Sequence, residues 1–72
     1  METKRERFVR LAENRTNKII DMIRLLGNLA NKNNYEYTDE DVQKIFLAVE
    51  KELKAAKSKY YSSAVEEKTF KL

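Results

Sequence analysis

The chain contains no cysteine, no histidine, no proline and no tryptophan, and a single glycine, Gly27, in 72 residues. Without cysteine there is no disulfide to reinforce so short a chain and no thiolate to bind a metal or attack a substrate. Without histidine the commonest general base is missing, and a structural zinc site would have only carboxylates to use. No metal, no other cofactor and no enzymatic activity are therefore expected. A cysteine-free chain suits a reducing compartment, so the expected location is cytoplasmic. No apolar run approaches the ~20 residues of a membrane-spanning helix. The opening Met1-Glu2-Thr3-Lys4-Arg5 has no apolar stretch behind it, as a secretory signal would. A membrane is not among the expected partners.

Lack of proline and near-lack of glycine leave nothing to interrupt long helices, and two heptad stripes fill the space. Phe8, Ala12, Arg15, Ile19, Met22, Leu26 and Leu29 follow one another at spacings of four and three. Val42, Phe46, Val49, Leu53, Ala56 and Tyr60 do the same. Such a chain reads as all-α: an antiparallel two-helix hairpin, with helices over 4–31 and 39–61 joined by a loop over 32–37. Residues 1–72 form one helical domain, near the lower size limit for a self-sufficient core. The tail over 62–72 is either frayed or a short third helix opened by Ser63-Ala64-Val65-Glu66, although Phe70 also falls where a longer heptad would place it.

Local signals mark the helix ends. Thr3 can cap the first helix with Glu6 reaching back as a capping box. The periodicity stops at Asn31-Lys32-Asn33-Asn34, and Asn33 or Asn34 suits a left-handed stop. Gly27, inside the pattern, reads as close packing against the neighbouring helix in preference to a hinge. For the second helix Thr38 caps, Asp41 takes the third helical position, and Asp39 and Glu40 favour the positive end of the dipole. Tyr37, just before the cap, can pack on Val42 as a hydrophobic staple.

A hairpin needs one apolar stripe per helix, and this chain carries more. Val9, Ile20 and Ile23 flank the first stripe on one side and Leu11 and Leu25 on the other, an arc wider than one neighbour can cover. On the second helix Ile45 flanks the stripe and Leu47 faces away from it. Burial of an Ile or Leu is worth ~1.5–3 kcal/mol, so several left open amount to a small domain's whole stability. The expected solution is a homodimer, a four-helix bundle with Val9, Ile20, Ile23, Leu25 and Leu47 as candidate self-association residues. A tail folded back over one flank is the alternative.

Arg15 interrupts the first stripe. In an antiparallel register with Leu29 beside Val42, it falls level with Ala56, with Glu52 one turn away. Arg15 and Glu52 are thus a candidate polar layer in the core, in which the arginine stem packs and its head is paired; a ligand-binding Arg15 is the third reading. Elsewhere charge is uneven. Residues 1–24 hold seven basic and four acidic side chains, whereas residues 53–61 hold Lys54, Lys57 and Lys59 and no acid. Acidic residues crowd 36–52 instead. Lys4, Arg5 and Arg7 crowd a helix N-terminus, where anions are preferred, and this mismatch hints at an acidic partner. Lys4, Arg5, Arg7, Arg10, Lys54, Lys57 and Lys59 are accordingly the candidate partner- or DNA-binding residues. Against nucleic acid stand a net charge of only +3 and the lack of any aromatic residue alternating with Lys4, Arg5 and Arg7. Asp39, Glu40 and Asp41 are accounted for by capping, and adjacent helical carboxylates diverge too far to act as an acid–base pair.

Three segments carry a family resemblance: Arg7-Phe8-Val9-Arg10-Leu11-Ala12, Arg15-Thr16-Asn17-Lys18 with Arg24-Leu25-Leu26-Gly27-Asn28-Leu29-Ala30-Asn31, and Asn34-Tyr35-Glu36-Tyr37-Thr38-Asp39-Glu40-Asp41-Val42-Gln43-Lys44-Ile45-Phe46. Over roughly residues 7–60 the chain resembles a group of short helical bacterial proteins encoded on conjugative elements and prophages. The group has no assigned activity, so the resemblance supplies no site residues. It implies a bacterial cytoplasmic setting and a role in mobile-element biology. The expected function is a non-enzymatic protein-binding module or regulator of a mobile element or phage, such as an inhibitor of a host defence protein. The alternatives are a DNA-associated accessory protein using the basic helix end, or a structural subunit that binds only itself.

Overall fold

Each half of the chain is organised around one helix whose start is fixed by side chain–backbone hydrogen bonds. The computed structural model describes the backbone of residues 1–69 and the side chains of residues 1–61. Helix α1 spans Lys4–Gly27 and helix α2 spans Asp39–Thr69. No strand occurs among the described residues, so the chain is all-α. It divides into two units, Met1–Glu36 and Tyr37–Leu72, each holding one helix.

Both helix starts follow the capping chemistry of the sequence. Thr3 has an extended backbone (φ −73°, ψ 167°) and its hydroxyl accepts from the Glu6 N–H at 3.0 Å. The Glu6 carboxylate in turn accepts from the Thr3 N–H at 3.0 Å, completing the capping box. At α2 the same device recurs with a shorter acid: the Asp41 N–H donates to the Thr38 hydroxyl at 3.1 Å, and the Thr38 N–H donates to Asp41 at 2.9 Å. Tyr37 and Val42, the two ends of the expected staple, are both half-buried, whereas nearly all of α2's described residues are exposed. That is the burial a staple produces. Glu40 and Lys44 add an exposed i,i+4 ion pair at 3.6 Å, in the favourable acid-before-base order.

The end of α1 differs from the sequence-based expectation. The helix stops at Gly27, ahead of residue 31, and no described residue adopts positive φ, so neither Asn33 nor Asn34 provides a left-handed stop. Asn28 is the cap in a right-handed conformation (φ −68°, ψ −13°), its N–H shared among the carbonyls of Arg24, Leu25 and Leu26. Tighter turns follow, with Leu29 N–H on the Leu26 carbonyl and Ala30 N–H on that of Gly27. Asn31 then closes the segment: its side chain accepts from the Asn33 N–H at 3.0 Å and its carbonyl from Asn34 and Tyr35. Heptad spacing reaches to Leu29 because the apolar pattern outlasts the helix. The backbone gives way at its most flexible residue, and an asparagine side chain offers the following amides a competing partner. Within its own unit, a Cβ at Gly27 would meet no atom within 4 Å.

Helix α2 is longer than expected. It continues without interruption past Tyr61 to Thr69, so Ser63-Ala64-Val65-Glu66 starts no separate helix. Ser58 does not disturb it, because its hydroxyl turns back to the Ala55 carbonyl at 2.8 Å. Phe70 lies outside the described residues.

Neither unit contains a buried residue among those described. Val9, Leu11, Ala12 and Leu26 in the first unit, and Tyr37 and Val42 in the second, reach only half-burial.

Two stability outcomes follow from these ends. Thr38→Ala should lower stability by about 0.5–2 kcal/mol through loss of the cap, and Tyr37→Ala should cost further stability through loss of the staple, both read as thermal midpoints by circular dichroism. Gly27→Ala should extend α1 and stabilise it by about 0.5–1 kcal/mol, because the site has open space and negative φ. Carbon chemical shifts of residues 25–31 that stay unchanged in the Gly27→Ala variant would contradict this account of the helix end.

Candidate interaction surfaces

The largest candidate surface is apolar. On α1, Phe8, Ile19, Met22, Ile20, Ile23 and Leu25 are all exposed, Met22 by 64% and Ile19 by 57%. On α2 the stripe residues Phe46, Val49, Leu53 and Tyr60 are exposed too, Leu53 by 65%. A helix places its i, i+3 and i+4 residues on one side but has nothing of its own to cover them. Of the candidate self-association residues, Val9 is half-buried and Ile20, Ile23, Leu25 and Leu47 are open. Arg15 and Glu52 belong to different units, and each is exposed on its helix.

Among the basic candidates the structure separates committed side chains from uncommitted ones. Arg10 forms a two-pronged ion pair with Glu2, Nε to Oε2 at 2.7 Å and Nη2 to Oε1 at 2.9 Å. Planar guanidinium on planar carboxylate is the strongest geometry available to such a pair. It holds the Glu2 carboxyl below its usual range and raises Arg10 above its own. Arg5 places its guanidinium carbon 6.0 Å from the Phe8 ring centre, at the outer limit of a cation–π contact. Lys4 and Arg7 have no ion-pair partner among the described residues and remain open to solvent. The N-terminal cluster is thus two uncommitted cations, one partly engaged and one paired.

Glu2 was not singled out from the sequence. An i,i+8 pair lies outside the i,i+3 and i,i+4 spacings of neighbouring helical residues, and Glu2 precedes the cap, outside the helix. On α2, Lys54 and Lys57 are one turn apart on one side, while Lys59 projects about 160° away from Lys57 at 100° per residue. The three lysines therefore do not make one patch.

The remaining features offer little chemistry. A depression lined by Ala12, Glu13, Thr16 and Asn17 is shallow and open to solvent. No group of acidic residues able to hold a metal ion occurs among the described residues. No helix there is long and apolar enough to cross a membrane.

The N-terminal pairings predict a pH dependence. The Glu6 carboxyl is lowered by the Thr3 backbone and side-chain hydrogen bonds, and Glu2 by Arg10. A depressed carboxylate contributes stability above its unfolded value and loses it as pH falls through the folded one. Acidification below the ordinary carboxylate range should therefore fray the first turns of α1 before its middle, seen as amide exchange at residues 3–10. Glu2→Gln should release Arg10 without this change spreading beyond the first turns; a loss of helix along all of α1 would contradict it.

Comparison with protein-family models, curated proteins and solved structures found no match to this chain.

Proposed function

We propose that this is a non-enzymatic protein-binding module, folded as an antiparallel helical hairpin and dimerised into a four-helix bundle. The observation that supports this is the apolar surface that both helices leave uncovered: Ile19, Ile20, Met22, Ile23 and Leu25 on α1 and Phe46, Val49 and Leu53 on α2 are exposed, Ala12, Leu26 and Val42 reach only half-burial, and no described residue is buried. Helices of 24 and 31 residues carry this much apolar surface only if something covers it. The stripes suit each other at heptad spacing, and Ile20, Ile23 and Leu25 then remain for a second copy. Arg15 and Glu52 would supply a polar layer that fixes register.

The cellular role we propose follows the resemblance to proteins of conjugative elements and prophages: regulation of a mobile element or phage by binding a protein, such as a host defence component, in the bacterial cytoplasm. A DNA-associated role is the second reading, supported by Lys4, Arg5 and Arg7 at a helix end that disfavours cations. The Arg10–Glu2 pair engages one of the four N-terminal basic residues among the candidates for that reading.

Sedimentation tests the assembly. The wild-type chain should be dimeric at tens of micromolar, an affinity near ~1 µM corresponding to ~8 kcal/mol. Ile20→Asp and Ile23→Asp should each give monomer or unfolded chain. A well-folded wild-type monomer in that range would remove the dimer. Copurification from the native host addresses the partner: recovery of a stoichiometric second protein supports the reading, and recovery of salt-sensitive DNA alone would replace it with the second.

A further inference from the structure

Two opposite charges on α1 stand beside its exposed isoleucines, at a spacing that a twofold axis would pair. At about 100° per residue, Val9, Thr16, Ile20, Ile23 and Gly27 share one face of α1, roughly 90° round from the stripe of Phe8, Ile19 and Leu26. Ile20 is exposed by 40% and Ile23 by 48%. Glu13 and Arg24 edge this face on the same side, ~20° apart around the helix and about 16 Å apart along it. Neither is in an ion pair among the described residues. The face also has a hollow, the shallow depression lined by Ala12, Glu13, Thr16 and Asn17.

Both features fit a second copy of α1 laid antiparallel, and both give the same register. A twofold axis that sets Glu13 against Arg24 of the copy crosses α1 between residues 18 and 19, and forms the same pair again at the other end. An axis that seats the Ile20–Ile23 ridge over the copy's depression crosses at about residue 18. Like charges do not meet there. Arg5 and Glu6, the other charges near this face, fall past the last residue of the facing helix, and Glu6 is held by its cap. Arg10, further round the same edge, already carries Glu2. A parallel copy would put the two sets of Glu13 and Arg24 on opposite edges of the contact and leave all four unpaired. A foreign helix would need the same acid and base at the same spacing, which a second copy carries already. The other flank of α1 suits a copy less well: Leu11, Lys18 and Leu25 form a row whose central lysine would meet its own counterpart.

We propose that the second copy docks on the Val9–Gly27 face of α1 through its own α1, antiparallel, with Ile20 and Ile23 of each helix over the Ala12–Thr16 depression of the other and Glu13 of each against Arg24 of the other. This rests on the dimer reading above and names the helix, the face and the direction of the contact. Leu25, about 150° round from Ile20 and Ile23, is left outside it.

The chain has no cysteine of its own, so introduced ones report the arrangement. Val9 and Gly27 lie on one line of α1, five turns and about 27 Å apart, and the proposed axis sets each level with the other in the second copy. Chains carrying Val9→Cys and Gly27→Cys should form a mixed disulfide dimer when combined and oxidised, and neither should cross-link alone. A Val9→Cys chain that cross-links with itself shows a parallel contact and overturns the proposal, as does a mixture that forms no disulfide. Glu13→Arg and Arg24→Glu change exposed side chains, and each should weaken dimerisation about tenfold in sedimentation. Mixing the two variants should restore it, because only the mixed dimer pairs opposite charges at both ends. Absence of that recovery overturns the register. A wild-type dimer that fails these mixing tests removes this proposal alone, whereas a folded wild-type monomer removes the dimer reading and the proposal together.

Discussion

A single α-helix satisfies its own backbone hydrogen bonds but cannot bury its own side chains, and that constraint governs everything else in this protein. In α1 the apolar residues occupy more than half of the circumference, and in α2 a full stripe runs from Val42 to Tyr60. Caps and ion pairs give the helices defined starts. A cap is worth about 0.5–2 kcal/mol and an exposed ion pair about 0–1 kcal/mol, while the uncovered apolar side chains represent ~1.5–3 kcal/mol apiece. The proposed hairpin and dimer would draw on most of this surface.

The electrostatics divide along similar lines. At both helix starts the acidic residues are engaged in capping, so Glu6 and Asp41 are structural even though they look like surface charge. Arg10 is structural as well, since its guanidinium is held by Glu2. Lys4 and Arg7 have no ion-pair partner among the described residues.

Much of the local architecture was legible in the residues. Thr3 with Glu6 and Thr38 with Asp41 specify their caps because every atom involved lies within three positions, and the half-burial of Tyr37 and Val42 follows from their spacing about the cap. Less was legible where two local preferences compete. The heptad pattern argued for helix to Asn31, but Gly27 and the Asn31 side chain favour a turn, and the turn prevailed. Ser63 suggested a new cap, yet a helix already under way loses little by continuing through it. The apolar surfaces were legible as candidates from periodicity alone, whereas the commitment of Arg10 was not.

The sequence by itself determined the two long helices, their starting residues and the existence of more apolar surface than two helices use. These depend on periodicity and on contacts a few residues long, for which spacing is a sufficient guide. Tertiary structure alone decided that α1 ends at Gly27, that α2 runs unbroken beyond Tyr61, and that Glu2 turns back to hold Arg10. Each of these depends on where the backbone path actually goes, and a residue outside the helix, before its cap, can reach a partner that the i,i+3 and i,i+4 spacings do not connect to it.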